Sequence, residues 1–193
     1  MLDRSLDDHA HSGFVNTALR AAARRALRPV RGWGERIIRE SINCLASSPA
    51  VPNVVRCAAL RLYGLHVGTC RIEPGSWFGG PHITIGDDSY INRGCVFDNS
   101  ASIAIGRSCS IGMNVLIITS DHAIGPSHRR AGTLSAAAIT IGDGAWIGTR
   151  VTLLPGSAVA AGCVVAAGSV IRGKCEADGL YAGIPARRVR DLP

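Results

Sequence analysis

A large apolar residue returns every six positions through the middle of the chain: Ile85, Ile91 and Phe97, then Ile105, Ile111 and Ile117, then Ile141, Ile147, Leu153, Val159, Val165 and Ile171. Four residues after most of them stands a small or short side chain: Ser89, Cys95, Ala101, Cys109, Val115, Ala145, Val151, Ser157, Cys163 and Ser169. A helix repeats at about 3.6 residues and a strand at about 2, so a period of six fits neither. It fits a solenoid in which each hexad supplies one short strand and three hexads close one coil. The expected fold is therefore mostly β, a parallel β-helix of hexapeptide repeats. With stacked strands about 4.8 Å apart, roughly five coils make a prism on the order of 24 Å tall.

The array is interrupted twice. Phe97 to Ile105 is two residues longer than a hexad, a small bulge at a corner. From Ile117 to Ile141 is 24 positions, four whole hexads, so the array leaves and rejoins in phase. Residues 119–138 are therefore expected to form one long, polar loop set on the frame. Excursions of this length in a compact domain are often functional.

Upstream of the repeats the pattern turns helical. Phe14, Val15, Leu19, Ala22, Ala26 and Leu27 form an apolar stripe over Phe14–Arg28, which Pro29 ends. A second helix is expected over Glu35–Leu45 and a third over Asn53–Tyr63, capped by Asn53. The expected organisation is a helical extension or cap over 1–63, the solenoid over 64–173 and a C-terminal tail over 174–193. Residues 1–13 read as a polar tail.

Composition narrows the function. Hydrophobic residues make up 47% of the chain but aromatic ones only 5%, as thin stacked coils require. Net charge is +7, and ten Arg against five acidic residues precede Leu62. That balance suits an anionic ligand or an acidic glycan. Base-stacking aromatics are scarce and no nucleic-acid motif is present, so nucleic acid is not an expected partner. Seven cysteines without a CxxC pair read as small buried thiols in a reducing compartment. Val151–Ile171 is 21 residues without a charge, long enough to span a bilayer, but Pro155, Gly156, Gly162 and Gly168 punctuate it and the repeat continues through it. It reads as stacked coils, and the expected location is cytoplasmic.

Four pieces carry a family resemblance: Ile85-Gly-Asp-Asp-Ser-Tyr-Ile-Asn, Thr119-Ser-Asp-His, Ile141-Gly-Asp-Gly-Ala-Trp-Ile-Gly and Gly183-Ile-Pro-Ala-Arg. Together they resemble the hexapeptide-repeat O-acetyltransferases, in the branch of maltose, galactoside, nodulation-factor and exopolysaccharide enzymes. The resemblance covers about Val67 to Arg190. It implies a left-handed helix, a homotrimer with sites between neighbouring subunits, acetyl-CoA as donor and a sugar hydroxyl as acceptor. The family's catalytic histidine falls on His122, as general base. A largely neutral imidazole at pH 7 suits a hydroxyl that must lose its proton as it attacks a thioester. Asp121 is a candidate to orient its ring.

The family's acceptor-site asparagine falls on Asn92. The second Asn of that pattern is Gly94 here, and its acidic residue is Asn99, with Asp98 adjacent. For coenzyme A the resemblance points to Trp146, the Ala167-Gly168-Ser169 backbone, Arg187 and Arg190. The family's basic residue after the last hexads maps to Gly173, with Lys174 next. His128, Arg129 and Arg130 in the loop are candidates for an anionic acceptor or a neighbouring subunit. No metal is expected. A zinc hydratase of the same fold would need three ligating histidines, and His66, His82, His122 and His128 lack a matching spacing. A non-catalytic hexapeptide scaffold is the alternative from another class.

Overall fold

The computed structural model describes residues 33–193. The helix expected over Phe14–Arg28 lies outside them. The chain divides into two compact units, Met1–Glu40 and Ser41–Pro193. Residues 33–47 are helical (α1), and a second helix, α2, spans Asn53–Tyr63. Both fall close to the expected positions. Asn53, however, does not cap α2. Its side chain reaches the first coil instead, accepting from the Ile72 N–H at 2.9 Å and donating to the Cys70 carbonyl at 2.9 Å.

The solenoid then runs coil by coil. The first contributes β1 (His66–Val67), β2 (Arg71–Ile72) and β3 (Trp77–Phe78). The second contributes β4 (Ile83–Ile85), β5 (Tyr90–Ile91) and β6 (Val96–Asp98), and the third β7 (Ile103–Ile105), β8 (Ser110–Ile111) and β9 (Leu116–Ile118). A hairpin follows, β10 (Ser120–Ile124) with β11 (Ala131–Ala136). The fourth coil is β12 (Ile139–Ile141), β13 (Trp146–Ile147) and β14 (Thr152–Leu153); the fifth is β15 (Ala158–Val159), β16 (Val164–Val165) and β17 (Val170–Ile171). A partial sixth comprises β18 (Lys174–Cys175) and β19 (Gly179–Gly183), and β20 (Ala186–Asp191) folds back on β19.

Three parallel sheets result, one per face. The first-face order is β1-β4-β7-β12-β15-β18, the second β2-β5-β8-β13-β16-β19-β20, and the third β3-β6-β9-β14-β17. The fold is a left-handed parallel β-helix. Every repeat aliphatic from Ile85 to Ile171 is buried, and so is every small-slot residue except Ala101, which sits at the bulged corner. Burial raises the thiols of Cys95 and Cys175 to about 11 and pushes that of Cys109 up as well, which suits packing rather than reactivity.

Ser41–Tyr63 shares one compact unit with the coils. The joint is Arg56, only 3% exposed, whose guanidinium donates to the carbonyls of Ala46, Ile72, Ser48 and Val51 at 2.6–2.9 Å. At the other end the ladder continues beyond residue 173: Val159 pairs with Cys175 and Val165 with Tyr181. The hexad after Ile171 is two residues short, so the periodicity conceals this sixth coil.

The excursion at 119–138 is a hairpin rather than a loop. Ser120 pairs with Ala136, Asp121 with Ser135 and His122 with Leu134. Alternation of polar and small residues gives no amphipathic signal there, because both faces of the hairpin stand away from the core. Thr119, fully buried, anchors its base: the Thr119 hydroxyl donates to the Asp98 carbonyl at 2.8 Å and accepts from the Ala101 N–H at 3.0 Å.

Candidate active site

The third residue after each repeat aliphatic turns the corner between faces. Its φ is positive at Asp88, Gly94, Ser108, Asn114, Gly144, Arg150, Gly156, Gly162 and Gly168. The backbone thereby turns sharply and leaves some amides without a partner in the next coil. Along the corner between the second and third faces, this produces a groove.

The groove has a volume of about 640 Å³ and is lined by Asn92, Gly112, Trp146, Thr149, Ala167 and Arg190 among others. Its walls are largely apolar, with Gly148, Val164, Val165 and Leu180 filling in between the polar groups. The backbone N–H groups of Thr149 and Ala167 make no hydrogen bond with the rest of the described chain. They occupy equivalent positions in successive coils, so they present two donors about 4.8 Å apart along one wall. Gly148 makes the wall possible: a Cβ there would lie 2.6 Å from the Ala167 nitrogen. An apolar channel with spaced amide donors and a guanidinium at one end fits a thin, flexible chain that carries amide carbonyls and ends in phosphates.

The structure brings together four of the sequence candidates in this groove: Asn92, Trp146, Ala167 and Arg190. Trp146 is 58% exposed and lies on the outward side of β13. Gly168 and Ser169 follow Ala167 but are committed elsewhere. The Gly168 N–H donates to the Thr149 carbonyl at 2.9 Å, and the buried Ser169 donates its N–H to Ala166 at 3.3 Å. Arg187 is exposed on β20 and is not among the groove's lining residues. Arg188, between it and Arg190, is spent on the fold: it bonds the carbonyls of Glu176, Ala177 and Asp178 and pairs with Asp191 at 2.7 Å.

Thr149, Gly112 and Leu180 were not singled out from sequence. Thr149 had a signal nonetheless, since it stands two residues after Ile147 just as Ala167 stands two after Val165.

His122 lies elsewhere. It sits on β10, in the hairpin inserted between the third and first faces, while Asn92 sits at the corner between the second and third. One whole face separates these corners, on the order of 15–20 Å across six extended residues. Within one chain, then, the imidazole and the groove occupy opposite ends of the third face. The His122 ring is exposed, and its Nδ1 lies 3.0 Å from the Gly132 carbonyl oxygen. A carbonyl only accepts, so Nδ1 is the donor, and in the neutral ring the lone pair lies on Nε2. Asp121 does not orient the ring: its carboxylate accepts from the His122 backbone N–H at 2.7 Å. The hydroxyl of Ser120, at the same hairpin's base, donates to the Asp98 carboxylate. His128, Arg129 and Arg130 are exposed at the hairpin's far turn, where the Gly125 N–H bonds the Arg130 carbonyl at 2.9 Å.

Among the described residues no three His, Cys, Asp or Glu side chains converge so as to hold a metal ion. No helix among them is long and apolar enough to cross a membrane.

Residues 138–173 match the model of the bacterial transferase hexapeptide family, six repeats. A Saccharomyces cerevisiae protein bearing an acetyltransferase name is 34% identical over 146 residues, 75% of this chain and 74% of that protein. The galactoside O-acetyltransferase of Escherichia coli is 30% identical over 122 residues, 63% of this chain and 60% of that enzyme. A hexapeptide-repeat acetyltransferase of Vibrio cholerae, solved with acetyl coenzyme A, superposes with a TM-score of 0.75 at 30% identity over 83% of this chain and 88% of its own. The fold, the repeat and the extent of these similarities place the chain in the family of hexapeptide-repeat acetyltransferases.

Proposed function

We propose that the protein transfers an acetyl group from acetyl-CoA to a hydroxyl of a sugar or saccharide-like acceptor. It does so in a homotrimer, each site made by His122 of one chain and the groove of its neighbour. The observation that carries this reading is the geometry of His122: an exposed ring whose Nδ1 lies 3.0 Å from the Gly132 carbonyl, an arrangement that in the neutral ring puts the lone pair on Nε2. The relative named for galactoside O-acetylation supports a saccharide acceptor.

The groove receives the donor. The free N–H groups of Thr149 and Ala167 meet the amide carbonyls of its pantetheine arm, Trp146 covers one side, and Arg190 pairs with phosphate. Asn92, at the groove's lower end, positions the acceptor hydroxyl. Nε2 of His122 takes that hydroxyl's proton as the oxygen bonds to the thioester carbonyl carbon. Backbone N–H groups stabilise the resulting oxyanion. The C–S bond then breaks, and the imidazolium returns the proton to the departing thiolate. The products are the acetyl ester and free coenzyme A, with no acyl-enzyme between.

The test is His122→Ala, assayed for acetyl-CoA cleavage across a panel of sugar hydroxyls. Turnover should fall by about 100- to 10,000-fold, the usual contribution of a general base. Calorimetric binding of coenzyme A should be unchanged. Wild-type turnover in this variant overturns the assignment.

A further inference from the structure

A second pocket lies directly below the groove on the same corner. It has a volume of about 390 Å³ and is lined by Arg56, Arg71, Arg93, Glu73 and Asn53 with flanking Pro and Val residues. That is enough for a group of monosaccharide size, within the range of about 300–1,000 Å³ common for small-ligand sites. The two cavities meet at consecutive residues, Asn92 lining the groove and Arg93 the pocket. The Arg93 N–H donates to the Asn92 side-chain oxygen at 2.8 Å, so the two positions are mechanically joined.

The pocket's charge is one-sided. Three guanidinium groups face one carboxylate. Glu73 is already paired with Arg71 at 2.7 Å. Arg71 also lies over the Tyr90 ring, 5.9 Å from its centroid, while its side chain stays largely exposed at the pocket's mouth. Arg56 is buried and bonds only neutral carbonyls, through four of its five N–H groups. No carboxylate in that set offsets its charge, and poor screening in the interior extends its field. Arg93 is exposed, and its guanidinium makes no hydrogen bond or ion pair among the described residues. The start of α2, which has no acidic residue in its first turn and no side-chain cap, adds the positive end of a helix to the same wall.

We infer that this pocket binds an anionic group, carboxylate or phosphate, carried by the acetyl acceptor. The inference rests on the acetyltransferase reading for the identity of the ligand as acceptor, and on the pocket alone for its charge. A hydroxyl held at Asn92 puts the adjoining part of the acceptor beside Arg93. Arg93 supplies the unpaired planar fork that matches either oxyanion. Arg71 and the buried Arg56 supply the surrounding positive potential.

The test separates binding from chemistry. Inorganic phosphate, glucuronate, glucose 6-phosphate and glucose are titrated at constant ionic strength into the protein with coenzyme A saturating, so that the groove is already filled. The readout is the difference between wild type and Arg93→Gln, with the thermal midpoint checked for both; Arg93 is exposed and its loss leaves the fold intact. The expected result is that both sugar anions and phosphate bind wild type at least about 10-fold more tightly than glucose, and that the variant loses this preference while its affinity for glucose stays the same. Glucuronate against glucose 6-phosphate distinguishes a carboxylate from a phosphate ligand. Equal affinity for glucose and both sugar anions, or an anion preference that survives in Arg93→Gln, overturns the inference. Transfer to neutral and anionic sugars alike would overturn it while leaving the acetyltransferase reading intact. Arg93-dependent anion binding with no acetyl transfer to any sugar would uphold the anionic pocket and count against the reaction instead.

Discussion

The Nδ1 of His122 and the carbonyl oxygen of Gly132 face each other at 3.0 Å across the hairpin that interrupts the coils. One strand carries the proposed base and the other holds its ring through Nδ1. Gly132 is tightly placed: a Cβ there would lie 2.7 Å from the Ala123 carbonyl oxygen. Gly132→Ala should therefore push the strands apart and displace the ring. The expected outcome is kcat lower by about 10- to 100-fold, as misplacement by an ångström can cost. Coenzyme A affinity should not change, since the groove lies at the other corner. Steady-state kinetics with parallel calorimetry reads both.

Gly148 has the same role for the groove. Its missing Cβ lets the fourth and fifth coils stack with the Ala167 nitrogen 2.6 Å from where that carbon would stand. Gly148→Ala forces the coils apart at a corner that tolerates no added methyl group, at a cost of about 1–3 kcal/mol. Thermal melting should show the loss, and coenzyme A binding should weaken because the Ala167 N–H shifts. A variant with unchanged melting and unchanged affinity would show that the corner is looser than its packing indicates.

Arg56 holds helix α2 and the turn before it on the first coil through four carbonyls. Arg56→Met keeps much of the side-chain volume but leaves the carbonyls of Ala46, Ile72 and Val51 without that donor, while Ser48 still accepts from the Val51 N–H. At about 1 kcal/mol for each unmet acceptor, the loss is roughly 3 kcal/mol. Urea unfolding should report it as a lower midpoint. The variant should also expose the 46–63 region to proteolysis before the coils.

Much of this molecule could be read from its period. The repeat aliphatics point inward because each hexad ends in a corner that resets the face. Trp146 and Ala167 were named through the family resemblance and not through the period, and both line the groove. The hairpin was not legible as strands: Ser120–Ile124 has no buried side to generate alternation, and it pairs with Ala131–Ala136 through its backbone ladder and single side-chain bonds from His122 and Ser135. The sixth coil was hidden by a shortened hexad before Cys175. Asn53 looked like a cap because a capping residue and a residue that bonds a neighbouring coil have the same chemistry. The pocket of Arg56, Arg71 and Arg93 was invisible in sequence because one arginine comes from a helix and the others from two different coils.

The central claim is that His122 and the groove act together only across two chains. Co-expression of His122→Ala with a groove-blocked Ala167→Trp chain, the substitution standing at an exposed groove residue, tests it most directly, with native mass spectrometry to show that mixed oligomers form. Each variant alone should be nearly inactive. Each mixed trimer then holds one intact site in three, and across all trimers formed by random assortment at equal expression about a quarter of the sites are intact, so activity should return to about a quarter of wild type. Mixed oligomers that remain as inactive as the parents would contradict a site shared between neighbours.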